Sequence, residues 1–188
     1  EIRSLDAVIR FHTEKDPGCY LRAHDFLRAF RSRYARAIVI FDREGSGREA
    51  QLREAIEADL EQRLAANGWA ARARAIVIDP ELENWVWSDS PEVDKALGWA
   101  KQAPGLRRWL VERGFLQHGK AKPGRPKEAM EAALRLVRKP RSSAIYGELA
   151  ERVSLRRCTD SAFLKLVTTL QTWFSGDEPT EAEHEDSP

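Results

Sequence analysis

Two short apolar runs, separated by one long helical pattern, constrain the fold of this 188-residue chain more than any other feature. The runs are RAIVIFD at residues 36–42 and ARAIVIDP at residues 73–80. Neither run alternates polar with apolar residues, which predicts strands buried on both faces, as in a parallel sheet covered by helices. Four apolar residues between the runs recur at helical spacing: Leu52, Ile56, Leu60 and Leu64. The pattern predicts a βαβ unit with parallel strands and a right-handed crossover.

The flanking segments predict one more strand and a group of helices. Residues 6–13 are typical of a short strand, residues 14–18 of a turn, and residues 19–35 of a helix. Asn67-Gly68 predicts the end of the helix between the two apolar runs. After residue 90 every segment has helical spacing, and capping residues mark helix starts: Ser90-Pro91, Ser142, and Thr159 or Asp160.

The predicted organisation is therefore an α/β core over residues 1–90 and a helical, basic region over residues 91–174 that packs on it. Residues 175–188 carry six acids and no Lys or Arg, a composition typical of a disordered tail. We expect no further strand after residue 90 and find no internal repeat.

Composition narrows the class of protein. Hydrophobic residues make up 42% and charged residues 32% of the chain, as in globular proteins. No apolar run approaches the roughly 18 residues that span a membrane, and no signal-peptide pattern is present. Cys19 and Cys158 lie in no metal-binding or C-x-x-C spacing. We interpret this as a protein of a reduced, intracellular setting, with a cytoplasmic location and no membrane partner.

Acidic residues follow both predicted strands of the βαβ unit. Asp42 and Glu44 follow the first strand, and Asp79, Glu81 and Glu83 follow the second. Because parallel strands end at the same edge of a sheet, about 5–10 Å apart, these carboxylates should converge. Uncompensated, they would raise one another's pKa, whereas a divalent cation such as Mg²⁺ or Mn²⁺ would relieve the repulsion. The alternative is that they are solvated strand ends, with Asp42 or Ser46 capping the next helix.

The loop after the first run, Gly45-Ser46-Gly47-Arg48, also has two interpretations. Its glycines could let backbone N–H groups bind a phosphate at a helix N-terminus. More often such glycines simply form a turn. The loop is not a P-loop, because no Gly-Lys-Ser or Gly-Lys-Thr follows.

The stretches AIVIFDREGSG and IVIDPELENWVW resemble the core of TOPRIM-fold proteins of the RloB and OLD-nuclease type. In that family one strand ends in Asp-x-Asp, and another ends in Pro-x-x-Glu-x-Trp. Asp42 falls on the first Asp, and Glu44 on the second, where it departs from Asp but keeps the charge. Three residues match the second motif: Pro80, Glu83 and Trp85.

The resemblance covers about residues 1–90 and implies a TOPRIM-like fold with catalytic and metal-binding roles for Asp42, Glu44 and Glu83, with Asp79 and Glu81 as further metal candidates. It also implies a role in anti-phage defence, with other subunits of a defence system as partners. Family members have one more Glu, at the end of an earlier strand. Glu1 is too close to the first strand for that element, so we expect it to lie upstream or the site to be incomplete.

The helical half is strongly basic. Residues 101–141 carry twelve Lys and Arg against three Glu. Such clusters give salt-sensitive binding to nucleic acid. The candidate phosphate contacts are Lys122, Arg125, Lys127, Arg138, Lys139 and Arg141. KPGRPK also resembles an AT-hook core, although Pro126 is equally expected in the first turn of a helix. The alternative is that these basic residues form a solvent-exposed face or a patch that binds an acidic protein.

Two functional hypotheses lead, ahead of a third in which the Gly45-Ser46-Gly47 loop belongs to a nucleotide-sensing module. The first is a Mg²⁺-dependent phosphodiesterase or nuclease in which Asp42, Glu44 and Glu83 hold the ion and water attacks. The second is a non-catalytic subunit of a defence complex that binds nucleic acid or a partner through its basic half. Trp85, Trp99 and Trp109 are expected in the core, with base stacking as the alternative.

Overall fold

A computed structural model of the chain describes residues 7–88, 90–153 and 158–174. These residues form an α/β fold with a small parallel sheet and helices around it. The strands are β1 (Ala37–Asp42) and β2 (Ala73–Ile78). The helices, in chain order, are α1 (Lys15–Arg28), α2 (Arg53–Ala66), α3 (Glu83–Val86), α4 (Pro91–Ala96), α5 (Leu106–Glu112), α6 (Pro126–Leu136), α7 (Ser143–Arg152) and α8 (Ser161–Phe174).

The predicted βαβ unit is present. β1 and β2 are parallel neighbours, in register from Ala37 opposite Ala73 to Asp42 opposite Ile78. In α2, the predicted stripe residues Ile56, Leu60 and Leu64 are fully buried. Burial of such side chains stabilises the fold by about 1.5–3 kcal/mol each. Within the described residues no strand follows β2, as expected.

Three details of the sequence prediction are wrong. Residues 7–12 form no strand, because no described strand lies beside them to pair with, and Phe11 is 91% exposed. α1 begins at Lys15 rather than near residue 19, since Asp16 and Pro17 suit a first helical turn. Leu52 is 75% exposed, because it is the residue before α2 rather than part of its stripe.

The apolar core consists of two clusters. The first lies between α1, α2 and the sheet and contains Phe41, Ile56 and Trp69. The second lies among α3 to α7 and contains Trp87, Trp99 and Trp109. Trp99 and Trp109 are buried, as predicted, with ring centroids 4.8 Å apart. Each such aromatic pair stabilises the fold by about 0.5–1.5 kcal/mol beyond the effect of burying its apolar area.

The last helix, α8, returns to the first half and packs on β2. Lys165 of α8 places its Nζ 3.1 Å from Glu57 Oε2 and 2.8 Å from Glu61 Oε1, both on α2. Asp160 caps α8 by accepting a hydrogen bond from the backbone N–H of Ala162 at 3.0 Å. Of the two residues predicted to start this helix, Thr159 and Asp160, the cap is therefore Asp160.

None of the described helices has the length and apolar character needed to cross a membrane. The predicted acidic tail, 175–188, lies outside the described residues.

Candidate functional site: the acidic edge of the sheet

Asp42 is the last residue of β1, opposite Ile78, the last residue of β2. The chain leaves both strands at this edge, so the acids after β2 return towards Asp42. Burial is the largest cause, and with the charges of Asp16, Glu83 and Glu81 it raises the pKa of Asp42 to about 7, although a backbone hydrogen bond from Leu82 opposes the shift. Asp42 therefore lies near enough to Glu83 and Glu81 for their charges to act on its carboxyl.

Asp16 is the member of this group that the sequence analysis missed. It lies in the first turn of α1, and its Oδ1 accepts the backbone N–H of Asp42 at 3.2 Å. The bond fixes α1 to the outer side of β1 and brings a further carboxylate to Asp42. The segment was interpreted as a turn, and no motif signals its position.

Glu83 begins α3 and is 2% exposed. Its Oε1 accepts a hydrogen bond from the Tyr146 hydroxyl at 2.7 Å and a charge-assisted bond from the Arg141 guanidinium. Glu83 thus receives a cation from the helical half of the chain. Arg141 also lies 3.2 Å from Glu131 Oε1. Burial and the bond to Glu83 raise the pKa of Tyr146 to about 12, so Tyr146 keeps its proton and acts as a donor.

The other two predicted acids of the second strand end have partners of their own. Asp79 Oδ1 accepts a hydrogen bond of 2.9 Å from Arg43 Nε and lies 2.9 Å from Arg43 Nη2 in an ion pair. Glu81 is 7% exposed and accepts the backbone N–H of Lys127 at 2.8 Å, which caps α6. Burial raises the pKa of Glu81, and the Lys127 amide opposes that shift. Both residues therefore connect segments of the chain: Asp79 is paired with Arg43, and Glu81 is bonded to the start of α6.

Glu44 is exposed, and its backbone N–H donates to the carbonyl of Pro80 at 2.9 Å. The following loop is closed by its own bonds. Gly47 donates its N–H to Glu49 Oε1 at 3.0 Å, and the Arg48 amide donates to the Ser46 hydroxyl at 3.2 Å. Gly45 and Gly47 both have positive φ, which suits a turn. The geometry therefore favours the turn interpretation of this loop, since its own side chains occupy those two N–H groups.

The predicted basic contacts divide into two groups. Three are engaged inside the fold: Lys122 Nζ bonds the carbonyl of Asn84 at 2.7 Å, Lys139 bonds the carbonyl of Ala96, and Arg141 bonds Glu83. Arg141 is nevertheless exposed, as are the other three: Arg125, Lys127 and Arg138. Because Asn84 follows Glu83, Lys122 lies beside the acidic edge. Pro126 occupies the first turn of α6, as one of its two interpretations predicted.

A divalent cation suits the chemistry of these donors, because hard cations prefer carboxylate oxygens and Asp42 lies among like charges. Within residues 7–88, 90–153 and 158–174, however, no group of three His, Cys, Asp or Glu side chains is arranged to hold a metal ion. The Arg141 guanidinium meets Glu83 where a cation would. The carboxylates of Asp42 and Glu83 are thus suitable ligands for a divalent cation. The described residues do not assemble a complete set of ligands around them.

Comparison of the chain with protein-family models gives no match, and comparison with curated proteins and with solved structures gives none either. The resemblance to TOPRIM-fold proteins therefore rests on the two strand-end motifs alone.

Proposed function

We propose that this chain is a component of an antiviral defence system that acts on nucleic acid, with the acidic edge as a Mg²⁺-dependent phosphodiesterase site. The convergence of Asp42 and Glu83 at the carboxyl ends of two parallel strands carries the proposal. It is supported by the match of Asp42, Pro80, Glu83 and Trp85 to the strand-end motifs of TOPRIM-fold nucleases.

Asp42 and Glu83 would hold the ion, with Glu44 as the nearest further carboxylate in sequence. A bound Mg²⁺ or Mn²⁺ would polarise a phosphoryl oxygen and lower the pKa of a bound water. The chain's own residues supply two further functions. Asp42, whose pKa is about 7 without the ion, would release its proton on binding the cation, so ion binding should depend on pH near neutrality. Lys122, beside the acidic edge, would attract the phosphate backbone.

A second candidate is a subunit that binds nucleic acid or a partner without cleaving it. The bonds from Arg141 and Tyr146 to Glu83 favour it, because a paired carboxylate needs no metal ion. In this candidate the acidic edge is a structural connection between the two halves of the chain.

Calorimetric titration with Mg²⁺ and Mn²⁺ separates the two candidates. The wild-type chain would be compared with Asp42→Ala, Glu83→Ala and Arg141→Gln, with Glu112→Ala as a control at an exposed acid of α5. The phosphodiesterase proposal expects binding that both acid substitutions weaken at least tenfold and that Arg141→Gln strengthens. Nuclease assays on single-stranded and duplex DNA and RNA would follow.

Absence of metal binding in both the wild-type chain and Arg141→Gln would overturn the phosphodiesterase proposal. The binding subunit would then stand if the chain still bound nucleic acid in a salt-dependent manner.

A further inference from the structure

Six arginines surround the end of the sheet opposite the acidic edge. They lie at the end of α1, in the loop before β1, and in the 3₁₀ turn and first residues of β2. We name this surface the arginine rim; its members are Arg28, Arg31, Arg33, Arg36, Arg72 and Arg74. The first four are exposed, and the last two are half-buried.

Hydrogen bonds hold the loops of the rim together. The Arg72 guanidinium donates to the backbone carbonyls of Arg31 at 3.3 Å and Tyr34 at 3.2 Å. The Trp69 indole N–H donates to the carbonyl of Leu27 at 3.1 Å, which fixes the end of α1 beside the same loop. These bonds hold together the end of α1, the loop before β1 and the 3₁₀ turn before β2, which are the segments that carry the rim.

No acid interrupts the rim in sequence. The chain has no Asp or Glu between Asp25 and Asp42, or between Glu61 and Asp79. Among the described residues, none of the six arginines forms an ion pair with a carboxylate. Six like charges without a carboxylate partner among the described residues repel one another, and a bound polyanion would relieve that repulsion. This is unlike the basic helical half, where Arg141 is paired with Glu83.

An aromatic side chain lies within the rim. Trp173, near the end of α8, has the guanidinium carbon of Arg36 5.3 Å from its ring centroid and that of Arg74 at 6.0 Å. α8 carries no acid over its length, so it adds no opposing charge. Arginines beside a partly exposed indole combine phosphate contact with a surface for base stacking.

From these observations we infer that the arginine rim is a binding surface for single-stranded nucleic acid, separate from the acidic edge. All six cations are arginines and none is a lysine, and the guanidinium fork matches phosphate oxygens in pairs and stacks on rings. Six cations around one end of the sheet suit a chain of phosphates better than one phosphate ion. Trp173 favours a single strand, whose bases are free to stack, over a duplex or a lipid surface.

The inference shares its partner class, nucleic acid, with the proposed function, and it needs no catalysis at the acidic edge. It assigns the rim to holding the strand, whereas the proposed function assigns cleavage to Asp42 and Glu83. The two can therefore fail separately.

The test is fluorescence anisotropy of a labelled single-stranded DNA and a single-stranded RNA, each about 20 nucleotides long, titrated with the full chain at several salt concentrations. The test variant is Arg33→Gln with Arg36→Gln, because neither guanidinium makes a hydrogen bond that holds the described fold together. We expect affinity to fall about tenfold or more near 0.1 M salt, and the slope of log K against log salt to fall by about 1.4. Trp173→Ala should weaken single-strand binding by about tenfold while changing duplex binding less.

Arg108→Gln with Arg152→Gln is the matched control, since it removes two exposed arginines that pair with Glu112 and Glu148. It should leave affinity and slope almost unchanged. Equal losses in both double variants would overturn the inference, as would an unchanged affinity in the rim variant. Rim-dependent binding to phosphatidylserine vesicles without binding to either oligonucleotide would overturn it in favour of a lipid surface. Glu83→Gln separates the two proposals, because it should abolish cleavage and leave rim binding intact.

Discussion

Burial and neighbouring acids together set the pKa of the Asp42 side chain. Its carboxyl is half-buried at a strand end, close to Asp16, Glu83 and Glu81, and its pKa is about 7. The folded state therefore binds the proton more tightly than the unfolded chain does. By linkage, the free energy of unfolding falls as pH rises from about 4 to about 7, and this loss is complete above pH 7.

Asp42→Asn should remove this fall in the free energy of unfolding, because the amide does not ionise. We expect the variant to match the wild-type chain near pH 4 and to exceed its free energy of unfolding by about 1–2 kcal/mol at pH 8, after allowance for solvent screening. Urea unfolding followed by circular dichroism at pH 4, 6 and 8 measures the difference. Asp25→Asn, at a 69% exposed carboxylate, is the control. Equal pH dependence in wild type and Asp42→Asn would contradict the assignment.

Arg141 illustrates the opposite arrangement, in which a buried acid has its counter-charge. Glu83 is almost wholly inaccessible, so loss of the guanidinium leaves a carboxylate without a cation. Arg141→Gln should lower the free energy of unfolding by about 2–3 kcal/mol at pH 7. The double variant Glu83→Gln/Arg141→Gln should recover most of that loss.

Chemical denaturation of the two single variants and the double variant gives the coupling energy. Arg108→Gln removes an exposed pair and should cost less than about 1 kcal/mol. A coupling energy near zero would mean that Arg141 does not stabilise Glu83. Added Mg²⁺ that restored the stability of Arg141→Gln would support a cation site at the acidic edge.

At the scale of elements, the strands and α2 were predictable because each has a strong periodic signal of its own. Ile56, Leu60 and Leu64 recur at helical spacing and are buried. Residues 7–12 gave a false strand, since the apolar pattern of Val8 and Ile9 has no paired neighbour among the described residues. A strand needs a partner that local sequence does not reveal.

The position of α8 was not predictable, because it depends on one long-range ion pair network. Lys165 reaches Glu57, which is 3% exposed and also accepts bonds from Arg53 and from the amide of Val77. Lys165→Met should cost about 1–2 kcal/mol, since Glu57 keeps its other donors. Hydrogen exchange should become faster along α8. Gln171→Met, at an exposed position of the same helix, should leave the exchange rates unchanged.

At the scale of the whole molecule, Asp160 joins the two halves of the chain. Its Oδ2 accepts the Asn84 side chain at 2.7 Å, and its Oδ1 accepts the Trp85 indole N–H at 2.9 Å. The same carboxylate caps α8, and Trp85 packs edge-on against Phe163 with centroids 5.3 Å apart. The two apolar clusters are thus connected close to Glu83.

Asp160→Ala should lower the free energy of unfolding by about 2–3 kcal/mol, from the lost cap and the two lost side-chain bonds. We expect the loss to separate the unfolding of the two clusters, so that circular dichroism and tryptophan fluorescence no longer give the same midpoint. Thr159→Ala, at the preceding position, is the control. Coincident midpoints in Asp160→Ala would show that the clusters unfold together without this connection.

The candidate site was predictable in part at this scale. The positions of Asp42, Glu81 and Glu83 followed from the rule that parallel strands end at one edge. Asp16, Arg141 and Tyr146 could not be placed there, because α1 and the helical half reach the edge through tertiary packing. The arginine rim was also not predicted, since its members come from separate segments of the chain.

The acidic edge and the arginine rim lie at opposite ends of strands that are six residues long, about 20 Å. The acidic edge has cations beside it, Arg43, Arg141 and Lys122, whereas the described residues give the rim arginines no carboxylate partner. A polyanion is therefore expected to approach the rim in preference to the acidic edge. A strand bound at the rim reaches the carboxylates only after running the length of the sheet, so its footprint should exceed about five nucleotides.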